Sequence, residues 1–332
     1  MDEILNITPS IDSTSLPKGL QPPTDIVNLK VEEVEVETRV SSDVQLNSTP
    51  YIPDQAYDKL QEIAVSTGNS NVILVDEQVR ICNMKASSEP DKDFTIVQAF
   101  AAAGQDLTAP APSKVDLRES WWVVKDQGST GACAGFSSSS LVEYCFTKTK
   151  RINTGETISP RPIWMAAKET DKFTDYPTTF IEQEGTSLNA VLSFLQRYGC
   201  IRESVMPFSS LYTQNVQQFY AQSAALRIAS YYNVGKNQAS WKQWLSKYGP
   251  LYVAINVDST WMNYSQSYGI LEKYDSAQIV GGHAVLMCGY DSEKDYFLFK
   301  NSWGTNWGDN GYAYASSKWC AQAVLEVYGV SV

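Results

Sequence analysis

The order of the predicted elements between residues 113 and 332 constrains the fold more than any other feature of the sequence. Helical periodicity comes first, in the segments 161–171, 187–199 and 241–249. Strand patterns come after it, in the segments 250–257, 283–290, 296–302 and 311–316. Helices followed by strands favour an α+β fold over alternating βαβ units with a parallel sheet.

The chain divides into two parts of different composition. Residues 1–112 carry 18 Asp and Glu against 7 Lys and Arg, whereas residues 113–332 carry 19 of each kind and all nine tryptophans. We therefore predict an acidic N-terminal segment, 1–112, joined to a neutral, aromatic-rich body, 113–332. The join at 101–114, with small residues and two prolines, is typical of a linker or a processing site.

Local patterns predict some structure inside the N-terminal segment. Residues 1–25, rich in Ser, Thr, Pro and acid, are expected to be disordered. The remaining patterns predict a strand at 34–40, a helix at 55–64, a hairpin over 71–84 turning at Asp76–Glu77, and a strand at 93–100. The region 26–100 is thus expected to form a small β-containing module.

Several classes of protein and site are disfavoured by the composition. No cluster of Lys and Arg suggests a nucleic-acid partner, and no apolar stretch reaches the 18 residues of a membrane span. The N-terminus lacks a Sec-type signal, so we expect a protein made and folded in the cytoplasm, in keeping with a prokaryotic source, with non-Sec export left open. Six scattered cysteines and one histidine, without a C-x-x-C pair, favour free thiols and predict no metal site and no cofactor.

The stretch QGSTGACAGFSSSSLVEY, residues 127–144, places Cys133 after a glycine-rich turn at the start of a helical pattern. The unpaired N–H groups of a helix N-terminus favour a thiolate. Because the serines at 137–140 are poor helix formers, this helix is expected to depend on packing. The stretch alone leaves two interpretations open, an inert buried cysteine and a nucleophile.

Two later segments supply partners for a nucleophilic cysteine. His283, in GGHAVLMCGYD, is the only imidazole in the chain, so any Cys–His couple must use it. In KNSWGTNWGDNGY, Asn301 is able to orient the imidazole by a hydrogen bond, and Trp303 is able to shield that bond from water.

These segments together resemble the papain-like cysteine peptidases over roughly residues 116–330. The resemblance implies two lobes, a helical one carrying the Cys helix and an antiparallel, barrel-like one carrying His and Asn. It also implies that Cys133 is the nucleophile, His283 the general base and then acid, and Asn301 its orienter. Gln127, with the backbone N–H of Cys133, would form the oxyanion hole.

The resemblance also assigns the substrate groove. Gly185 and Thr186 would line the groove for an extended peptide or protein substrate, Ala254 and Ala284 the pocket for the residue two before the cut, and Trp303 would adjoin it. Thr130 and Gln183 stand where the family usually has a disulfide, in keeping with a reducing compartment. Ala134 replaces the aromatic residue that usually follows the nucleophile.

The sequence leaves the role of the acidic segment and the outcome of the chemistry open. Residues 1–112 lack the helical pattern of common papain-family propeptides, so they are either an inhibitory pro-region lying in the cleft or an accessory, docking or targeting module. The leading hypothesis is a cysteine peptidase. The alternatives are an acyl transferase or transpeptidase, and a catalytically silent scaffold with the same fold.

Overall fold

The computed structural model describes residues 71–170, 184–210, 216–267 and 269–332. These ranges belong to one unit that spans Ile52–Val332. The predictions for residues 1–25, 34–40 and 55–64, and the position of Gln183, lie outside the described residues. Among the described residues, no helix combines the length and the apolar character needed to cross a bilayer.

The helices predicted from periodicity are confirmed. The helices are α1 (Ile96–Ala102), α2 (Cys133–Lys148), α3 (Pro160–Thr170), α4 (Leu188–Arg197), α5 (Val216–Ala224), α6 (Gln238–Lys247), α7 (Ser259–Met262), α8 (Tyr264–Ser267) and α9 (Ser317–Ala323), with a 3-10 turn at Pro90–Lys92. The start and the end of α4 follow from local chemistry. The Ser187 hydroxyl accepts a hydrogen bond from the Ala190 N–H, and Gly199 follows the last turn with φ +85°.

One eight-stranded sheet organises the body. Its strands are β3 (Lys114–Asp116), β4 (Ser230–Asn233), β5 (Leu251–Val257), β6 (Ile270–Leu271), β7 (Gly281–Asp291), β8 (Tyr296–Lys300), β9 (Tyr312–Ser316) and β10 (Val324–Ser331). Strands β1 (Val72–Val75) and β2 (Gln78–Ile81) form a separate two-stranded sheet. The sheet order is β4-β10-β5-β7-β8-β9-β6, with β3 also paired to β7. Every pair is antiparallel except β6–β9. The four strands predicted between 250 and 316 are confirmed.

The N-terminal region gives one confirmed and one wrong prediction. The hairpin is present as the antiparallel pair β1–β2, with Asp76 and Glu77 at positive φ in its turn. The strand predicted at 93–100 is instead helix α1. A capping box between Thr95 and Gln98 starts it, and Ile96 and Phe100 bury one face at helical spacing.

The alternating side chains of the central strand β5 separate two apolar clusters. Val253 and Ile255 lie in a cluster with Trp241 and other residues of the β lobe. Tyr252 and Ala254 lie in a second cluster with residues of α2 and α4. Helices α2 and α4 therefore pack on one face of the sheet, which agrees with the α+β, two-lobed architecture, and α2 packs against the strand that carries His283.

Candidate active site

Helix α2 places Cys133 at its first position and is almost wholly buried from Cys133 to Phe146. Its serines satisfy their hydroxyls locally: Ser138 donates to the Gly135 carbonyl at 3.1 Å and Ser139 to the Phe136 carbonyl at 2.9 Å. Ser137 donates across the lobes to the Ala284 carbonyl at 2.7 Å. The first three hydroxyls of this buried serine run are therefore satisfied, and Ser137 holds α2 against the residue that follows His283.

His283 lies near the start of β7 and is held from two sides. A hydrogen bond of 2.8 Å joins its Nε2 to Asn301 Oδ1. Because an amide oxygen only accepts, Nε2 carries the proton in the neutral ring and Nδ1 is the free acceptor. The Trp303 ring stacks on the imidazole, with centroids 4.8 Å apart and planes at 29°. Within the described part of the chain, Nδ1 has no hydrogen-bond partner.

Gln127 is buried, and its amide is held in one orientation. Its Oε1 accepts from the Ser302 hydroxyl at 2.7 Å, and its Nε2 donates to the Thr130 carbonyl at 2.9 Å. The Thr130 hydroxyl in turn donates to the Gln127 carbonyl at 2.8 Å. Thr130, where a half-cystine was expected by resemblance, thus closes the loop that precedes Cys133 by hydrogen bonds.

Burial dominates the electrostatics of the Cys–His pair. Burial raises the pKa of Cys133 from 9.0 to about 11, against an opposing effect of backbone hydrogen bonds that include Ala284 and Ala134. Burial also lowers the pKa of His283 from 6.5 to about 4, helped by the charge of Arg80 and opposed by the hydrogen bond to Asn301. Both groups are therefore neutral near pH 7 in this conformation.

A stretch of the N-terminal region, Arg80–Lys85, lies across these residues, and we call it the covering strand. The Met84 N–H donates to the Gly282 carbonyl at 3.0 Å, and the Lys85 N–H donates to the Thr186 carbonyl at 3.2 Å. Asn83 forms an isolated parallel β-bridge with Gly282, and Lys85 forms another with Ser187. The covering strand therefore spans from the His side of the site to the Gly185–Thr186 side.

The four residues predicted to line a substrate groove lie at the covering strand or in the apolar cluster that contains Met84. A Cβ at Gly185 would come within 2.0 Å of the Asn83 carbonyl oxygen, so only glycine allows this approach. Ala254 and Ala284 belong to the cluster that contains Met84 and Cys133. Met84 is thus buried in the same apolar cluster as the thiol.

Arg80 and Cys82 were not singled out by sequence reasoning, yet both lie beside the site. Arg80 is 3% exposed and ion-pairs with Asp126, the residue before Gln127. Burial raises the pKa of Cys82, and the nearby Cys133 raises it further. No sequence signal marks these residues, because their burial depends on docking of the hairpin. Among the described residues, no group of His, Cys, Asp and Glu is arranged to hold a metal ion.

Sequence comparison finds a family and relatives of this chain. A family model described as papain family cysteine protease matches residues 111–329. A cathepsin L-like proteinase of Fasciola hepatica is 30% identical over 206 residues, covering 60% of this chain and 59% of that protein. Cathepsin K of Mus musculus is 28% identical over 208 residues, covering 61% and 59%. The chain thus spans 59% of the length of each of these two relatives.

Solved structures show the same fold. Xylellain, a cysteine protease from Xylella fastidiosa, superimposes with a TM-score of 0.63 at 19% identity, covering 76% of this chain and 96% of that one. Digestive procathepsin L 3 of the Tenebrio molitor larval midgut gives a TM-score of 0.52 at 20% identity, covering 82% and 79%.

Proposed function

The chain belongs to the papain family of cysteine proteases, and on that premise we propose that it hydrolyses peptide bonds through Cys133, His283 and Asn301, from a state that the covering strand holds closed. One observation carries the proposal. The helix-terminal thiol, the Asn-held imidazole and the oriented Gln127 amide lie around a site that an extended segment of the same chain already occupies.

The geometry supports covalent acyl transfer. Once the site is open, the Cys133 proton passes to His283 Nδ1, the ring nitrogen that Asn301 leaves free. The thiolate adds to the peptide carbonyl carbon, and the oxyanion accepts hydrogen bonds from the Gln127 amide and the Cys133 N–H. As the C–N bond breaks, His283 returns its proton to the leaving amine. Water, deprotonated by the same nitrogen, then breaks the C–S bond and frees the acid.

The proposed closed state is supported by what the covering strand does to the site. Met84 belongs to the apolar cluster of Ala254 and Ala284, and the Asn83 carbonyl lies so close to Gly185 that a substrate backbone has no room there. Cys133 and His283 are both fully buried. We expect peptide cleavage only after this strand is displaced or cut. Because Ala254 and Ala284 belong to an apolar cluster, we expect the substrate residue two before the cut to be apolar.

Substitution of the nucleophile tests the proposed function. Once the covering strand has been displaced or cut, Cys133→Ala is expected to abolish cleavage of a fluorogenic peptide library, because no other thiol lies on the proposed reaction path. Cys145→Ala, a buried cysteine of the same helix, is the matched control and should retain activity. Unchanged cleavage by the Cys133→Ala chain would refute the proposal. Product masses with an added amine would show whether the acyl group passes to the amine instead of water.

A further inference from the structure

Arg80, in the covering strand, is a buried charged side chain whose two terminal nitrogens each bind more than one acceptor. Its guanidinium pairs with both carboxylate oxygens of Asp126, closely through Nη1 and at 3.3 Å through Nη2. Nη2 also donates to the Trp303 carbonyl at 2.9 Å, and Nη1 to the Gly128 carbonyl at 3.4 Å. The guanidinium carbon lies 5.9 Å from the centroid of the Trp303 ring. Gln78, two residues before Arg80 on strand β2, contributes one more acceptor.

Most of this binding site belongs to the body and not to the N-terminal segment. We call Asp126, Gly128 and Trp303 the guanidinium cradle. The body fixes it independently of Arg80: the Gly128 N–H donates to Asp126 Oδ1 at 2.9 Å, and Asp126 bridges Trp303 across two loops. Only Gln78 would leave with the covering strand. A carboxylate, two carbonyls and an indole face therefore remain when the site opens.

The cradle lies beside the proposed catalytic groups. Asp126 precedes Gln127 in the chain, and the Trp303 ring that faces Arg80 also stacks on His283. The covering strand reaches Gly185 at Asn83, three residues after Arg80, a span of at most about 10 Å. If the Gly185–Thr186 groove holds the acyl half of a substrate, the cradle lies on the opposite side, with the leaving amine.

We infer that the guanidinium cradle is a substrate subsite for arginine on the leaving-amine side of the cleaved bond, and that Arg80 occupies it in the closed chain. This rests on the proposed peptidase function. The fork of an arginine side chain matches the two carboxylate oxygens and the flanking carbonyls, and its plane suits the indole face. A lysine supplies a single point charge and cannot make the same set of bonds. The Asp126 side chain is 43% exposed even with Arg80 bound, so the cradle is reachable from solvent.

Chemical rescue tests the cradle without requiring activity. In the full-length Arg80→Ala chain, ethylguanidinium is expected to raise the melting temperature saturably, and ethylammonium to raise it less. The wild-type chain and an Arg80→Ala, Asp126→Asn chain should show no saturable response. Arg80→Lys is the second variant if Arg80→Ala does not fold, and it should be less stable than wild type. An equal response to both cations, or a response that survives loss of Asp126, overturns the inference.

Substrate selectivity tests the subsite in the active enzyme. Paired peptides carrying arginine or uncharged citrulline at each position after the cut are compared by kcat/KM. Arginine is expected to be favoured about tenfold or more at one of these positions, and Asp126→Asn should bring that ratio close to one. Asp116→Asn, which removes a carboxylate paired with Arg118 outside the cradle, should keep the ratio. An equal ratio in wild type and Asp126→Asn contradicts the subsite. Absence of all cleavage even after the covering strand has been displaced contradicts the proposed function and leaves the rescue result to decide.

Discussion

In the proposed mechanism, Asn301 fixes which nitrogen of His283 accepts the proton. Its Oδ1 accepts from the imidazole and also from the Ser302 N–H at 2.8 Å, so the amide cannot turn freely. Trp303 covers the imidazole and keeps the bond in a region of low polarity, where a hydrogen bond is strong. The hydrogen bonds of Asn301 therefore fix the orientation of the ring and with it the direction of the free Nδ1.

Loss of this orienting bond should slow the reaction without unfolding the protein. Asn301→Ala is expected to lower kcat/KM by on the order of tenfold to hundredfold, a part of what general acid–base catalysis contributes. The pH–rate profile should shift too, because the bond to Asn301 raises the pKa of His283. Asn310→Gly, at an exposed loop residue with φ +53°, is the control. An unchanged profile in Asn301→Ala would show that the bond does not orient the base.

Sequence spacing and side-chain chemistry predict the proposed catalytic residues. They do not predict the residues that are buried only because the β1–β2 hairpin docks on the body. Cys133, His283 and Asn301 stand out because few residue types perform this chemistry. Arg80 looks like an ordinary charge in an acidic segment, and only the docked hairpin buries it. Lys300 is similar: it is buried, donates to the Val123 carbonyl at 2.6 Å, and burial lowers its pKa to about 7. No sequence pattern around Lys300 predicts that its side chain is buried.

At the element scale, packing and not propensity holds helix α2. Its serine run would be weak in an isolated helix. Within the protein, α3 packs so closely that a Cβ at Gly135 would lie 2.8 Å from both the Pro160 carbonyl oxygen and the Trp164 Cβ. The small residues of α2 therefore allow a close approach to α3 that a larger side chain would prevent.

Gly135→Ala should therefore destabilise the protein. Overpacking a rigid helix contact costs about 1–3 kcal/mol, so the melting temperature should fall by several degrees in a thermal scan. Ser138→Ala, on the same helix, removes a hydroxyl without adding volume and should cost less. A Gly135→Ala protein as stable as the wild type would show that α2 and α3 have room to separate.

The element predictions failed where a short apolar run fits both periodicities. Residues 93–100 contain β-branched and aromatic residues, which favour a strand. This segment is nevertheless a helix, because Thr95 forms a capping box at its start and one face buries Ile96, Ala99 and Phe100. In longer segments such as 187–199 the helical periodicity repeats over several turns, so the helix was predicted correctly.

At the scale of the whole molecule, the covering strand links the acidic N-terminal region to the chemistry. Composition separates residues 1–112 from the body but does not show whether they dock. The order of helices and strands in the body was predictable, because each element carries its own pattern. The contacts of Arg80–Lys85 depend on the docked hairpin, and no local sequence pattern predicts them.

Acid should open the closed state. The pKa of His283 falls from 6.5 to about 4 on burial. The closed state therefore has its full stability above pH 6.5 and loses it as the pH falls toward 4, by about 3 kcal/mol in total. The pKa of Cys133 is raised from 9.0 to about 11, so stability is also lost as the pH rises through that range. We expect the closed state to be most stable between about pH 6.5 and 9.

Hydrogen exchange measures this opening directly. The Met84 and Lys85 amides, which bond to Gly282 and Thr186, should lose protection between pH 6.5 and 4 after correction for the intrinsic exchange rate. Amides of the central strand β5 are the internal control and should stay protected. Protection of Met84 and Lys85 that is constant down to pH 4 would contradict burial of a neutral His283 as the pH-sensitive contact.

The proposal that Cys133 is a nucleophile held closed by the N-terminal region is tested by the rate at which limiting iodoacetamide modifies Cys133 in the full-length chain. Intact mass and peptide mapping locate the adduct, and peptidase activity is measured in the same samples. At pH 7, before any exposure to acid, we predict slow modification and little activity. After opening in acid, a single adduct on Cys133 should form rapidly, and activity should fall in proportion to it. Activity that persists with Cys133 fully modified, or equally fast modification before opening, would contradict a Cys133 peptidase held closed by its own N-terminal region.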